Sequence, residues 1–348
     1  MRPARPLGAR LGAGLAVVAL ALAGCSGDDG GRGSVTTDGG DTGADDVVQV
    51  PGVVTGADSL VFLDAALRVV APCDGSLCVW TSNGALADRW DGGGIVADAS
   101  PGVYTDRIED GAVELVLLDE VSGREMRAVE AYEVDDVQDG PGQGLRDIEL
   151  SPDGTWVAAV GADGVVRRWT ARGLDDGLTI DTGTDAVAVA WSADGSRVAV
   201  AASDGPVTIR DAATGEETAR LDAPPQGDVV WSDDGAHLAT ASFALDEEAA
   251  TTVWDATTLQ DVASLARPGD RLAFMGEDAL VLSEKGALDV QAWSWTTDAT
   301  TAFSGATDPP RAVMVSRLRV YAASPRDGVL GWGVGGGDAP TVFEKPEG

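Results

Sequence analysis

The chain is poor in basic residues, in histidine and in thiols. Of its 348 residues only 24 are Lys or Arg against 57 Asp or Glu, a formal charge of −33 at pH 7. Duplex recognition rests on Lys and Arg neutralising phosphates, so this balance argues against nucleic acid as a partner. It argues equally against adsorption to anionic lipid through a polybasic patch. The single histidine, His237, cannot build a His-rich metal centre, and a Ser-His-Asp triad would have no other imidazole to use. Three cysteines (25, 73 and 78) supply too few soft ligands for a zinc site. No acidic run has the Asp-x-Asp-x-Asp-Gly spacing that wraps one calcium ion, so no metal or cofactor is expected. What is plentiful is apolar residue, 44%, enough for a sizeable core, and glycine, 46 residues, enough for many turns.

The first 24 residues read as an export signal. Arg2, Arg5 and Arg10 precede an uninterrupted Leu/Ala/Val/Gly run from Leu11 to Ala23, too short as a helix to cross a hydrocarbon core of about 30 Å. The run ends Leu22-Ala23-Gly24-Cys25, which resembles a bacterial lipobox. That resemblance implies cleavage before Cys25 and diacylation of its thiol, a lipid anchor such as palmitate, and residence on the extracytoplasmic face of the cell membrane. Residues 25–46 then carry the lipidated Cys and a Gly/Asp/Ser/Thr stretch expected to act as a flexible tether of about 25 Å. With Cys25 acylated, Cys73 and Cys78 remain as a pair around Asp74-Gly75, a tight-hairpin signal. A disulfide across that turn suits an oxidising compartment and would stabilise by about 2 kcal/mol.

Residues 47–348 repeat. Ile148-Glu-Leu-Ser-Pro-Asp-Gly154, Val189-Ala-Trp-Ser-Ala-Asp-Gly195 and Val229-Val-Trp-Ser-Asp-Asp-Gly235 place their serines at 151, 192 and 232, in steps of 41 and 40. Each copy continues with a short apolar strand, a turn, an alternating strand and a fourth short strand. Weaker copies extend the pattern in both directions, to seven units of about 43 residues. Four short strands per unit with Gly/Asp turns is the sequence form of a β-propeller blade, so the fold class is all-β, a seven-bladed propeller of four-stranded antiparallel sheets.

With its Ser-x-Asp-Gly turns and Val253-Trp254-Asp255 late in a third strand, this region resembles the WD40-type propellers and their bacterial relatives (the YVTN and quinoprotein-like group). Departures are plain. The third strand of one copy reads Val207-Thr-Ile-Arg-Asp211, another ends Trp169-Thr170, and no Gly-His dipeptide opens any unit. The family's His–Ser/Thr–Asp–Trp tetrad is therefore missing as a repeated set. The resemblance implies a protein-binding scaffold without chemistry of its own.

Trp80, Trp169, Trp254, Trp293 or Trp295, and Trp332 recur late in third strands, and Trp191 and Trp231 just before the serines. Packing between blades accounts for this spacing better than a carbohydrate-stacking platform does. The turns between second and third strands are acidic: Asp74, Asp110, Asp163, Asp204, Asp246-Glu247-Glu248 and Asp327. Propeller topology places them at one end of the ring with the interblade links, including the Gly-rich stretch Asp139–Gly144, so that end is the expected partner-binding face. The expected protein is a monomeric envelope lipoprotein that binds other envelope proteins. The alternatives are a lyase or glycoside hydrolase with carboxylates in the central funnel, or a cation- or sugar-binding module.

Overall fold

The computed structural model describes residues 59–63, 68–73, 75–81, 83–99, 102–134, 143–242, 250–284, 286–316, 319–324, 328–333 and 341–342. The chain separates into two units, 1–48 and 49–348, and the second carries every described residue. The leader, Cys25 and the tether lie outside the described residues, as do Asp74, Asp246, Glu247, Glu248 and Asp327.

The described residues form seven four-stranded antiparallel sheets, with strands paired in chain order in each. Blade 1 is β1 (Val61–Leu63), β2 (Arg68–Cys73), β3 (Ser76–Thr81) and β4 (Leu86–Asp91), and blade 2 is β5 (Val96–Asp98), β6 (Val103–Glu109), β7 (Ala112–Leu118) and β8 (Glu125–Glu133). Blade 3 is β9 (Leu145–Leu150), β10 (Trp156–Gly161), β11 (Val166–Thr170) and β12 (Leu178–Ile180). Blade 4 is β13 (Ala186–Trp191), β14 (Arg197–Ala202), β15 (Thr208–Asp211) and β16 (Glu217–Arg220). Blade 5 is β17 (Gln226–Trp231), β18 (His237–Ser242), β19 (Thr251–Asp255) and β20 (Asp261–Leu265). Blade 6 is β21 (Gly269–Phe274), β22 (Ala279–Glu284), β23 (Val290–Ser294) and β24 (Ala299–Phe303). Blade 7 is β25 (Ala312–Ser316), β26 (Arg319–Ser324), β27 (Gly328–Gly333) and β28 (Thr341–Val342). The seven units read from the repeat are these seven blades.

Second strands are buried on both faces because each sheet is covered by a blade on either side: β10, β14, β18 and β26 share the pattern of one half-buried residue followed by five buried ones. That is why their sequences run as continuous Val/Ala rather than alternating. The repeated serine closes the preceding turn. Ser151, Ser192 and Ser232 are buried, and each Oγ accepts a backbone N–H five residues on at 2.9 Å, from Trp156, Arg197 and His237. Gly154, Gly195 and Gly235 complete the turns at φ of 67°, 68° and 72°, where a side chain would be strained.

Among the described residues, blades 1 and 7 share no strand. They meet through an apolar cluster of Phe62, Trp80, Tyr321 and Val329, with the Phe62 and Tyr321 rings stacked at 5.7 Å. Cys73 and Cys78 lie in the same cluster, fully buried and joined as a disulfide across the β2–β3 hairpin.

Candidate functional site

First strands from all seven blades surround a central cavity of about 590 Å³. Its wall is apolar on most blades, with Val61, Val189 and Val313 typical, but four acidic and two basic residues also line it: Asp98, Asp147, Glu149, Asp228, Arg146 and Arg271. Strand register explains their placement. Asp147 pairs with Val160, Ala188 with Ala201, Asp228 with Ala241 and Arg271 with Ser283, so these four occupy one rung of blades 3 to 6.

The acids bridge blades. Asp147 Oδ2 accepts the N–H of Val189 in blade 4 at 2.8 Å while Oδ1 takes Ile148 N–H at 2.9 Å. Two blades further round, Asp228 Oδ2 accepts Leu272 N–H of blade 6 at 2.8 Å and Oδ1 takes Val229 N–H at 3.0 Å. Glu149 Oε2 accepts Trp191 N–H at 3.0 Å. A first strand has a partner on one side only, so these carboxylates satisfy backbone donors that face the channel.

Burial sets their protonation. Loss of hydration raises the Asp147 pKa, against the pull of Val189 N–H and of the Arg271 charge. Burial, with repulsion from Asp147, lifts Glu149 well above the ordinary carboxylate range. Asp228 is pushed up to about 7 by burial, with Arg271 opposing. A carboxyl with a raised pKa beside other carboxylates is the arrangement that general acid catalysis uses. However, no aromatic side chain is among the described residues lining the cavity, and no group of three His, Cys, Asp or Glu among the described residues is placed to hold a metal.

A further buried carboxylate ties two blades together. Asp106 of β6 accepts Ile95 N–H at 3.2 Å and Leu145 N–H at 3.1 Å, tying the links into blades 2 and 3. Gly144 passes so close that a Cβ there would sit 2.0 Å from Asp106 Oδ2.

The acidic turns expected to form the partner face are placed as follows. Asp110, Asp163 and Asp204 lie between second and third strands of blades 2, 3 and 4. Asp110 sits at φ 50°. Asp163 pairs with Arg167 at 2.6 Å. Asp204 Oδ1 accepts Asp185 N–H at 2.7 Å, joining a turn to the adjoining interblade link. Arg146 also reaches that link, 2.6 Å from the Asp185 carboxylate. The acids at this end thus shape turns and links before they meet solvent.

The tryptophans of the repeat pack between blades: Trp80, Trp169, Trp254, Trp293 and Trp332 are all buried, as are Trp191 and Trp231. Trp254 Nε1 donates to Thr240 Oγ1 at 3.0 Å. His237 has Ser232 and Asp234 as neighbours, but it is the His237 backbone N–H that bonds Ser232 Oγ; the imidazole lies edge-on to Trp295 at 5.5 Å. The same turn recurs with Trp156 and Arg197 in that place, so it is a fold element and not a triad.

Sequence reading passed over Asp147, Glu149, Asp228, Arg271 and Asp106. A signal was present: aligned on the repeated serine, the position four residues earlier is Asp147, Ala188 and Asp228, and charge in a strand otherwise closed to water marks a special environment.

Two comparisons bear on this fold. The family model for the WD40 repeat (WD domain, G-beta repeat) matches residues 136–170, the stretch that ends with the first three strands of blade 3. No curated protein matches the chain.

Proposed function

We propose that this WD40-like seven-bladed β-propeller is a protein-binding platform, held outside the cytosol by a lipid on Cys25, that engages envelope proteins through the end of the ring bearing Asp110, Asp163 and Asp204. A fold does not fix a function; the reading rests on how the channel acids are used. Asp147 and Asp228 each direct both oxygens to backbone N–H groups of their own and the next blade. Carboxylates so engaged hold the ring rigid, which serves a binding scaffold. The exposed charge for attracting a partner gathers instead on the turns, where a negative field favours partners with a basic surface. The Leu22-Ala23-Gly24-Cys25 motif supports the anchor.

The test is crosslinking on intact cells, read by mass spectrometry. Reversing Asp246, Glu247 and Glu248 to Lys should remove the captured proteins, and Cys25→Ser should move the protein out of the membrane fraction. Unchanged capture would overturn the face; unchanged fractionation would overturn the anchor. A second reading, a carboxylate-dependent lyase or glycoside hydrolase, is favoured by one observation, the raised pKa of Glu149 next to Asp147. Release of oligosaccharide products that Glu149→Gln abolishes would replace the platform with this enzyme.

A further inference from the structure

Propellers leave one edge per blade open, that of the outer strand, and natural sheets blunt such edges with charge, bulges or brevity. Six outer strands here follow that rule. β4 carries Asp88, Arg89 and Asp91, β8 has Glu125, Arg127, Glu130 and Glu133, β16 has Glu217 and Arg220, and β20 has Asp261. All four also pair with a register shift. β12 is only three residues long, and β28 only two among the described residues.

β24 follows none of it. Its sequence, Ala299-Thr-Thr-Ala-Phe303, has no charge, and its first four residues are exposed. All five residues pair with β23 without a shift. The β-branched Thr300 and Thr301 suit an extended, half-solvated strand. The result is an uncharged edge that no other strand covers among the described residues, with its outward N–H and C=O groups outside the sheet's ladder.

We infer that β24 is a strand-addition site, which takes an extended, uncharged segment of a partner protein flanked by Lys or Arg as a fifth strand of blade 6. Charge selects that occupant. Residues 286–308 hold three acids, Asp289, Asp298 and Asp308, and no base. A second copy of the chain would bring another charge of −33 to the same edge. Backbone bonds would supply affinity and the basic flanks direction. This site is on the rim, apart from the turn-bearing end proposed above, and neither needs the other.

The probe is a capped peptide with a Thr-Val-Thr-Val-Thr core and two lysines at each end, added to the full chain. At peptide ten times its Kd, amide hydrogen exchange over 299–303 should slow about tenfold, with β16 and β20 unchanged. Replacing Thr300 and Ala302 with Lys should abolish that protection, whereas Val262→Lys on β20 should not. The same core flanked by glutamates should give no protection, a comparison that needs no variant. No slowing over 299–303 at millimolar peptide, protection that ignores the flanking charge, or concentration-dependent self-association through β24 would each overturn the inference. None of these outcomes touches the capture experiment at 246–248.

Discussion

The blades carry two sets of hydrogen-bonded aspartates that titrate in opposite directions. In the turns, Asp194 accepts Ser192 Oγ–H at 2.6 Å and Ser196 N–H at 3.0 Å, and Asp255 accepts Thr257 and Thr258 N–H at 3.0 and 2.6 Å. Hydrogen bonds to the ionised form hold both below the usual carboxylate range, Asp194 down to about 2. In the channel, Asp147 and Asp228 accept two N–H groups each, yet both are raised. The difference is water. An exposed carboxylate keeps its hydration on the free lone pairs and adds the N–H bonds; a buried one loses hydration that two amides cannot replace.

The stability consequences differ in sign and in window. A turn aspartate with a depressed pKa contributes above the unfolded value near 4, and that contribution is lost as pH falls toward 2. A channel aspartate with a raised pKa has no effect below about 4 and costs stability as pH climbs to its folded value, about 7 for Asp228. Stability should therefore peak on the acid side of neutral, which urea midpoints across pH 2 to 9 would show.

Removing the cation that faces the channel acids gives the largest effect. Arg271→Met should destabilise by about 2 kcal/mol at pH 8, below the usual 3–5 for a broken buried pair because Arg271 is only half-buried. At pH 5, with Asp228 protonated, most of that loss should vanish. A loss equal at both pH values would mean Arg271 acts by packing alone.

Next in size is the turn set. Ser192→Ala deletes the donor to Asp194 and the acceptor of Arg197 N–H, and should cost about 1.5 kcal/mol at pH 7. The loss should shrink toward pH 2, opposite to the Arg271 variant, and NMR titration should show Asp194 rising from about 2 toward its ordinary value. An unmoved Asp194 would break the argument that the hydroxyl sets its charge.

These contrasts also show what was legible beforehand. Blades 3 to 5 could be read from Ser-x-Asp-Gly because that turn is local: its serine, aspartate and glycine act within five residues. The Cys73–Cys78 pairing was legible for the same reason. The channel acids were not, because Asp147-Ile148-Glu149 alternates just as a strand with one wet face does. Only ring closure turns that face toward the axis and the N–H groups of the next blade, 42 residues away. The open edge of β24 was equally hidden, since a bulge is a property of pairing and leaves no mark in Ala299–Phe303 itself.

Asp228→Asn tests the channel set by gain. It removes a charge whose ionisation is opposed by burial, so stability at pH 8 should rise by about 1 kcal/mol, less than linkage alone would give because an amide leaves one of Val229 and Leu272 N–H without an acceptor. At pH 4 the gain should be absent.

The smallest expected change is the most exacting. Glu149 is lifted well above its ordinary value by burial and by Asp147. Burial favours its neutral form in the folded protein, and Gln has the same shape and still offers an oxygen to Trp191 N–H. Glu149→Gln should therefore move stability by no more than the ionisation of Glu149 in the unfolded chain dictates, a gain that grows with pH from nothing at pH 4. Chemical denaturation at pH 4 should find the two proteins within about 0.5 kcal/mol. A clear loss there would mean that the carboxylate is charged in the fold, and that hydrogen bonds, not water, decide the protonation of the channel after all.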